Sequence, residues 1–185
     1  MASPLTERAT PAELAERSQA IETKEEILSF PRLSEIIETD LAGVPFRDSA
    51  AKWRQLPVQI RLRFGWADSR REIVSLVGEI RARLVAVCQR CLEPFEFGVN
   101  ADLKLLLLPP GTRGVDGGDY EVWELDEAWL KPADLVEEAV IMALPMVARH
   151  DDETECKPMV SDAPPVRRDT VRPFAGLRSQ LTDSN

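Results

Sequence analysis

The chain has 185 residues, a formal net charge of −9, 44% hydrophobic and 30% charged side chains, which suits one soluble domain with flexible ends and leaves two full domains crowded. Glu7 and Arg8 stand where a secretory signal would need an apolar run. The longest stretch without polar side chains, residues 139–148, falls far short of the roughly 20 residues that span a bilayer, so a cytoplasmic protein without membrane contact is expected.

The first twenty residues are polar, and Thr10-Pro11-Ala12-Glu13 resembles a helix start with proline at the first helical position. The reading here is a short helix on a loose end. Phe30-Pro31 interrupts it, after which Leu33, Ile36 and Ile37 fall at helical spacing in a second short helix. From residue 58 the period changes to two. Val58, Ile60, Leu62, Phe64 and Trp66 alternate with Gln59, Arg61, Arg63 and Gly65, as a half-buried strand requires. Residues 67–71 turn the chain. A long second strand follows, with Val74, Leu76, Gly78, Ile80, Ala82, Leu84 and Ala86 on one side and Glu79, Arg81 and Arg83 on the other. In the third strand, Phe95, Phe97, Val99, Ala101, Leu103, Leu105 and Leu107 face away from Glu96, Asn100, Asp102 and Lys104. Consecutive strands with short turns imply antiparallel pairing.

Beyond the turn-rich stretch 109–118, Tyr120, Val122 and Leu125 suggest an edge strand. Residues 131–144 read as a helix, with Pro132 in its first turn, Leu135, Ala139, Met142 and Ala143 on an apolar side, and Glu137 and Glu138 on the wet face. Pro145 ends it. The remaining prolines, at 158, 164, 165 and 173, accompany a stretch too aperiodic for a core. The expected fold is α+β: a central antiparallel β-sheet with a few packed helices and flexible N- and C-terminal segments. Residues 1–29 are expected to be a loose extension, 30–156 the single domain and 157–185 a flexible tail.

Cys88, Cys91, His150 and Cys156 exhaust the cysteines and histidines of the chain. Cys88-Gln89-Arg90-Cys91 sits between two strand-like runs, with Pro94 just after it, and therefore at a hairpin tip. Two thiols across such a turn can face one centre, and His150 with Cys156 would complete a tetrahedral Cys3His zinc site. The competing reading is a Cys88/Cys91 redox couple; a third leaves the cysteines as small buried hydrophobes.

Three segments carry a family resemblance. Cys88-Gln89-Arg90-Cys91-Leu92-Glu93-Pro94 at the end of a long strand resembles the signature of the bacterial YceD family. Asp134-Leu135-Val136-Glu137-Glu138 running into Ile141-Met142-Ala143-Leu144-Pro145, with His150-Asp151 and Cys156 beyond, resembles that family's second block. Pro173-Phe174-Ala175-Gly176-Leu177 resembles its short C-terminal element. Ala148 departs from the second proline frequent in relatives, and the first thirty residues match nothing in the family. The resemblance implies a non-enzymatic factor for large-subunit ribosomal RNA accumulation in ribosome biogenesis. It brings no catalytic residue, and the zinc reading rests on the ligand spacing.

Partners are expected to be large-subunit ribosomal RNA or an assembling ribosomal protein, and not DNA. Charge is segregated along the chain: residues 51–115 hold 11 basic and 6 acidic side chains, residues 116–156 hold 2 basic and 13 acidic. Arg61, Arg63, Arg81, Arg83 and Arg90 are the candidate phosphate contacts for RNA, and the acidic region is the candidate adaptor surface for a basic ribosomal protein. No Gly-x-Ser-x-Gly elbow or Gly-rich phosphate loop is present, so an enzyme is not expected.

Overall fold

The structure, a computed structural model, describes residues 4–44, 48–112, 114–152 and 156. The expected tail over 157–185, including the family-like element at 173–177, lies outside them. Strands β1 (Ala20–Glu26), β2 (Pro57–Trp66), β3 (Val74–Val87), β4 (Pro94–Leu108) and β5 (Glu121–Glu124) form one sheet in sequence order. Three helices, α1 (Pro11–Glu16), α2 (Pro31–Leu41) and α3 (Pro132–Met142), complete the α+β fold. No helix among the described residues is long and apolar enough to cross a membrane.

The period-two pattern fixes the register. Ile60 lies opposite Ile80, Leu76 opposite Leu105 and Leu84 opposite Phe97, so the even-numbered residues of β2 and β3 share one face with the odd-numbered residues of β4. A slip of one residue would expose the whole set. Gly78 is required by a close approach: a Cβ there would stand 2.6 Å from the Arg61 carbonyl oxygen and 2.7 Å from Leu62 Cδ2. Sheet and helices share one core, in which Val58, Ile60, Leu76, Ile80 and Leu84 meet Ile27, Leu33, Leu41 and Val136, all nearly inaccessible. The sheet is antiparallel through β4, but β5 runs parallel to β4, because the connection through 109–120 returns the chain to the same end.

The N-terminal part is integrated into the fold, contrary to the expected loose extension over 1–29. A Thr10–Glu13 capping box starts α1, with the Glu13 N–H donating to Thr10 Oγ1 and the Thr10 N–H donating to Glu13 Oε2. Leu5, Ala9, Leu14, Ala15 and Ile21 are buried. β1 then pairs along β2 from Ala20 opposite Arg63 to Glu26 opposite Pro57. Further backbone bonds tie the N-terminus to the start of α3: Ala9 and Leu130 exchange N–H···O bonds of 3.1 and 3.0 Å, and the Ala133 N–H donates to the Leu5 carbonyl at 2.9 Å.

The faces of α3 also differ from the expectation. Met142 is 70% exposed, whereas Glu137 is buried. Glu137 Oε1 accepts the buried Leu33 N–H at 3.0 Å, which is an otherwise orphaned donor in the first turn of α2, since Phe30 at the start of that helix supplies no side-chain cap. Its neighbour Glu138 pairs with Arg32 at 2.6 Å. The two glutamates read as a solvated face therefore clamp the N-terminus of α2 to α3.

Candidate metal centre

The centre forms where the β3–β4 hairpin meets the segment after α3. At the hairpin tip the Cys88 N–H donates to the Glu93 carbonyl at 2.9 Å and the Leu92 N–H donates to the Cys88 carbonyl at 2.8 Å. Leu92 occupies the left-handed region, with φ of 60°, and Pro94 opens β4 at a strand-end position that tolerates a residue without N–H. On the other side, Pro145 cannot continue α3, and the chain returns toward the hairpin. The Gln89 N–H donates to the Ala148 carbonyl at 2.9 Å, which sets His150 against the Cys-x-x-Cys turn.

All four predicted ligands meet. One ligand atom from each of Cys88, Cys91, His150 and Cys156 lies within 4.8 Å of every other. Cys88 Sγ and Cys156 Sγ are 3.7 Å apart, and Cys91 Sγ is 3.6 Å from His150 Nδ1. Tetrahedral zinc, with Zn–S of about 2.3 Å and Zn–N of about 2.05 Å, places sulfur about 3.8 Å from sulfur and about 3.6 Å from nitrogen. Both separations match. A disulfide would instead bring two sulfurs to about 2.05 Å, and all three cysteines are free thiols.

The surroundings suit a closed structural site. Cys88 is fully inaccessible, Cys91 and Cys156 are buried and His150 is half-buried. Burial by itself pushes the Cys88 thiol up, but backbone N–H groups of Cys91, Arg90 and His150, joined by the His150 side chain, outweigh it and bring its pKa to about 5. Burial, with hydrogen bonds and negative charge from Cys88 and Cys91, pushes Cys156 up to about 11. A divalent cation at the centre would reverse that balance, because coordinating thiols give up their protons. Four protein donors fill a tetrahedral shell, leaving no open position for substrate, as in structural rather than catalytic zinc sites.

Two supporting residues were not anticipated. The Phe95 ring lies over His150, with centroids 4.6 Å apart, and packs on the three cysteines. Asp40, at the end of α2, accepts the Val87 N–H at 2.6 Å and fixes the end of β3. Alternation marks Phe95 as an inward residue of β4 but carries no sign of its ring partner, and nothing near Asp40 in the sequence points to Val87.

The candidate RNA arginines form no basic face. Arg61 pairs with Glu22 at 2.9 Å across β1 and β2, Arg83 with Glu96 at 3.6 Å across β3 and β4, and Arg81 with Glu79. The exposed side of the sheet interleaves these with Glu26, Asp102, Lys24, Arg63 and Lys104. The basic residues of the block 51–115 are thus interleaved on this face with its own Glu79, Glu96 and Asp102 and with Glu22 and Glu26 of β1. Arg90 stands apart from this face, in the Cys-x-x-Cys turn.

No curated protein and no solved structure matches the chain. A family model described as large ribosomal RNA subunit accumulation protein YceD matches residues 76–179. That span takes in the hairpin, β5, α3 and all four residues of the centre, and because it covers more than half of the 185 residues, the chain belongs to the YceD family.

Proposed function

We propose that this chain is a non-enzymatic cytoplasmic factor for large-subunit ribosomal RNA accumulation, and that Cys88, Cys91, His150 and Cys156 hold a structural zinc ion. Family membership over residues 76–179 carries the role. The convergence of all four donors within 4.8 Å supports the metal. The ion would join the tip of the β3–β4 hairpin to the segment after α3, adding to the Gln89–Ala148 backbone bond and the Phe95–His150 ring contact. The protein then acts by binding, either to ribosomal RNA or to a ribosomal protein under assembly.

A redox role for Cys88 and Cys91 has one observation in its favour, the lowered pKa of Cys88. Against it, reactive cysteines sit in partly exposed sites, whereas Cys88 and Cys91 are buried and share their space with two further metal-type donors.

The role is tested by deleting the gene and measuring large- against small-subunit ribosomal RNA, with complementation by the intact chain and by Cys88→Ser. The expected result is a lowered large-subunit share, restored by the intact chain and restored poorly by the variant. Normal ratios in the deletion strain, in both fast and slow growth, would remove the role.

A further inference from the structure

A cleft of about 520 Å³, separate from the metal centre, is lined by residues of the N-terminal segment, the start of α2, the end of β5 with the stretch after it, and the first turns of α3. Its frame is fixed by paired backbone, namely the Ala9–Leu130 bridge and the Ala133-to-Leu5 hydrogen bond. Two indoles line it. Trp123 is half-buried against the core, while Trp129 is 52% exposed. An indole left half in water along a cleft is an available apolar face with a negative π surface.

Charge decides what that face would meet. Five carboxylates and three cations line the cleft. Two of the cations are already answered, Arg8 by Glu127 at 3.6 Å and Arg32 by Glu138 at 2.6 Å. Of the rest, Glu124 uses one oxygen to accept the Gly111 N–H at 2.6 Å. Asp126 and Asp134 are exposed, and Asp134 also acts on Arg32, so that five carboxylates stand against three cations. The surplus is negative, and its five carboxylates belong to residues 116–156, which hold 13 acidic against 2 basic side chains. An anion such as an RNA phosphate would meet this surplus unfavourably. A guanidinium or ammonium would find both groups that bind it best, an indole face and an excess of carboxylates.

We infer that the cleft is the docking site for a lysine- and arginine-rich segment of a protein partner, with Trp129 and Trp123 receiving cationic side chains and Asp126 and Asp134 pairing with them. This deepens the proposed function, resting on its reading of the chain as an assembly factor that acts by binding. It also locates the adaptor surface on folded structure next to α3.

The test is titration of a fluorescent (Arg-Lys-Gly)4 peptide with the full chain at about 50 mM salt. Trp129→Ala is expected to weaken binding about threefold or more, the range of an exposed to partly desolvated cation–π contact. Trp129→Phe should recover part of it, which a general loss of folding would not allow. Asp126→Asn with Asp134→Asn should also weaken it, whereas Glu26→Gln with Asp102→Asn on the outer sheet face should leave it within about twofold, as expected where charges are screened beyond a Debye length. Absence of peptide binding, equal weakening by the two pairs, or unchanged binding by Trp129→Ala would overturn the inference. So would tighter, Trp129-dependent binding of a 20-nucleotide uridine RNA, which would make the cleft a base-stacking site. Failure here with a lowered large-subunit share in the deletion strain removes the cleft assignment and leaves the proposed role standing. Normal ribosomal RNA ratios remove the role whatever the peptide does.

Discussion

Glu137→Ala should be among the most damaging polar substitutions in this protein. The carboxylate accepts the Leu33 N–H at 3.0 Å, and Leu33 is fully inaccessible, so no water can replace the lost acceptor. Leaving a buried donor unpaired costs about 1–3 kcal/mol. Removing an anion from the positive end of α2 costs roughly 0.3–1 kcal/mol more. The expected loss is therefore about 1.3–4 kcal/mol, or a fall in Tm of roughly 3–15 °C for a chain of this length. Glu137→Gln retains an acceptor oxygen and should lose only about 0.3–1 kcal/mol, the charge part. Urea unfolding of both variants, with zinc held in excess, separates the contributions. A loss below about 0.5 kcal/mol for the alanine variant would refute the capping argument, and equal losses for alanine and glutamine would show that charge, not the hydrogen bond, stabilises the helix start.

Two further outcomes follow from the sheet. Leu62→Ala and Leu84→Ala, both at buried inward positions, should each cost about 2–5 kcal/mol by denaturant unfolding, and losses below about 0.5 kcal/mol at both would contradict the shared core. In the β2–β3 turn, N–H groups of Ile73, then Glu72 and Arg70, hold the Asp68 carboxyl below its ordinary value of 3.8. Its contribution is full above the unfolded pKa and is lost as pH falls through the lower folded one, so stability should drop on acidification below about 4. Asp68→Asn should flatten that slope, and an unchanged acid limb would exclude Asp68 as its source.

The elements that were legible in the sequence are those whose signal is local. Strict alternation from Val58 to Trp66 and from Phe95 to Leu107 has one solution, a sheet with one buried face, and β2 to β4 appear where that pattern places them. The metal donors were legible because no other cysteine or histidine competes with them. β1 was not, since Ile21 is its only buried residue and its acids read as solvated chain; its strand state comes from pairing with β2. Glu137 was misread because helical spacing reports which face is apolar, not that another helix ends against it with an unpaired N–H. The arginines of β2 and β3 misled for a similar reason, as Glu22 and Glu96, which neutralise Arg61 and Arg83, arrive from other strands.

Metal analysis of the full chain, purified without chelator, tests the central claim most directly. One equivalent of zinc per chain is predicted, with most of it lost in Cys88→Ser and in Cys156→Ser, and with a marked fall in thermal stability when a strong chelator is added, because binding energy at such a site is folding energy. Less than about a tenth of an equivalent, together with no uptake of added zinc by the reduced protein, would contradict it and leave Cys88, Cys91, His150 and Cys156 as a packed thiol cluster without a metal.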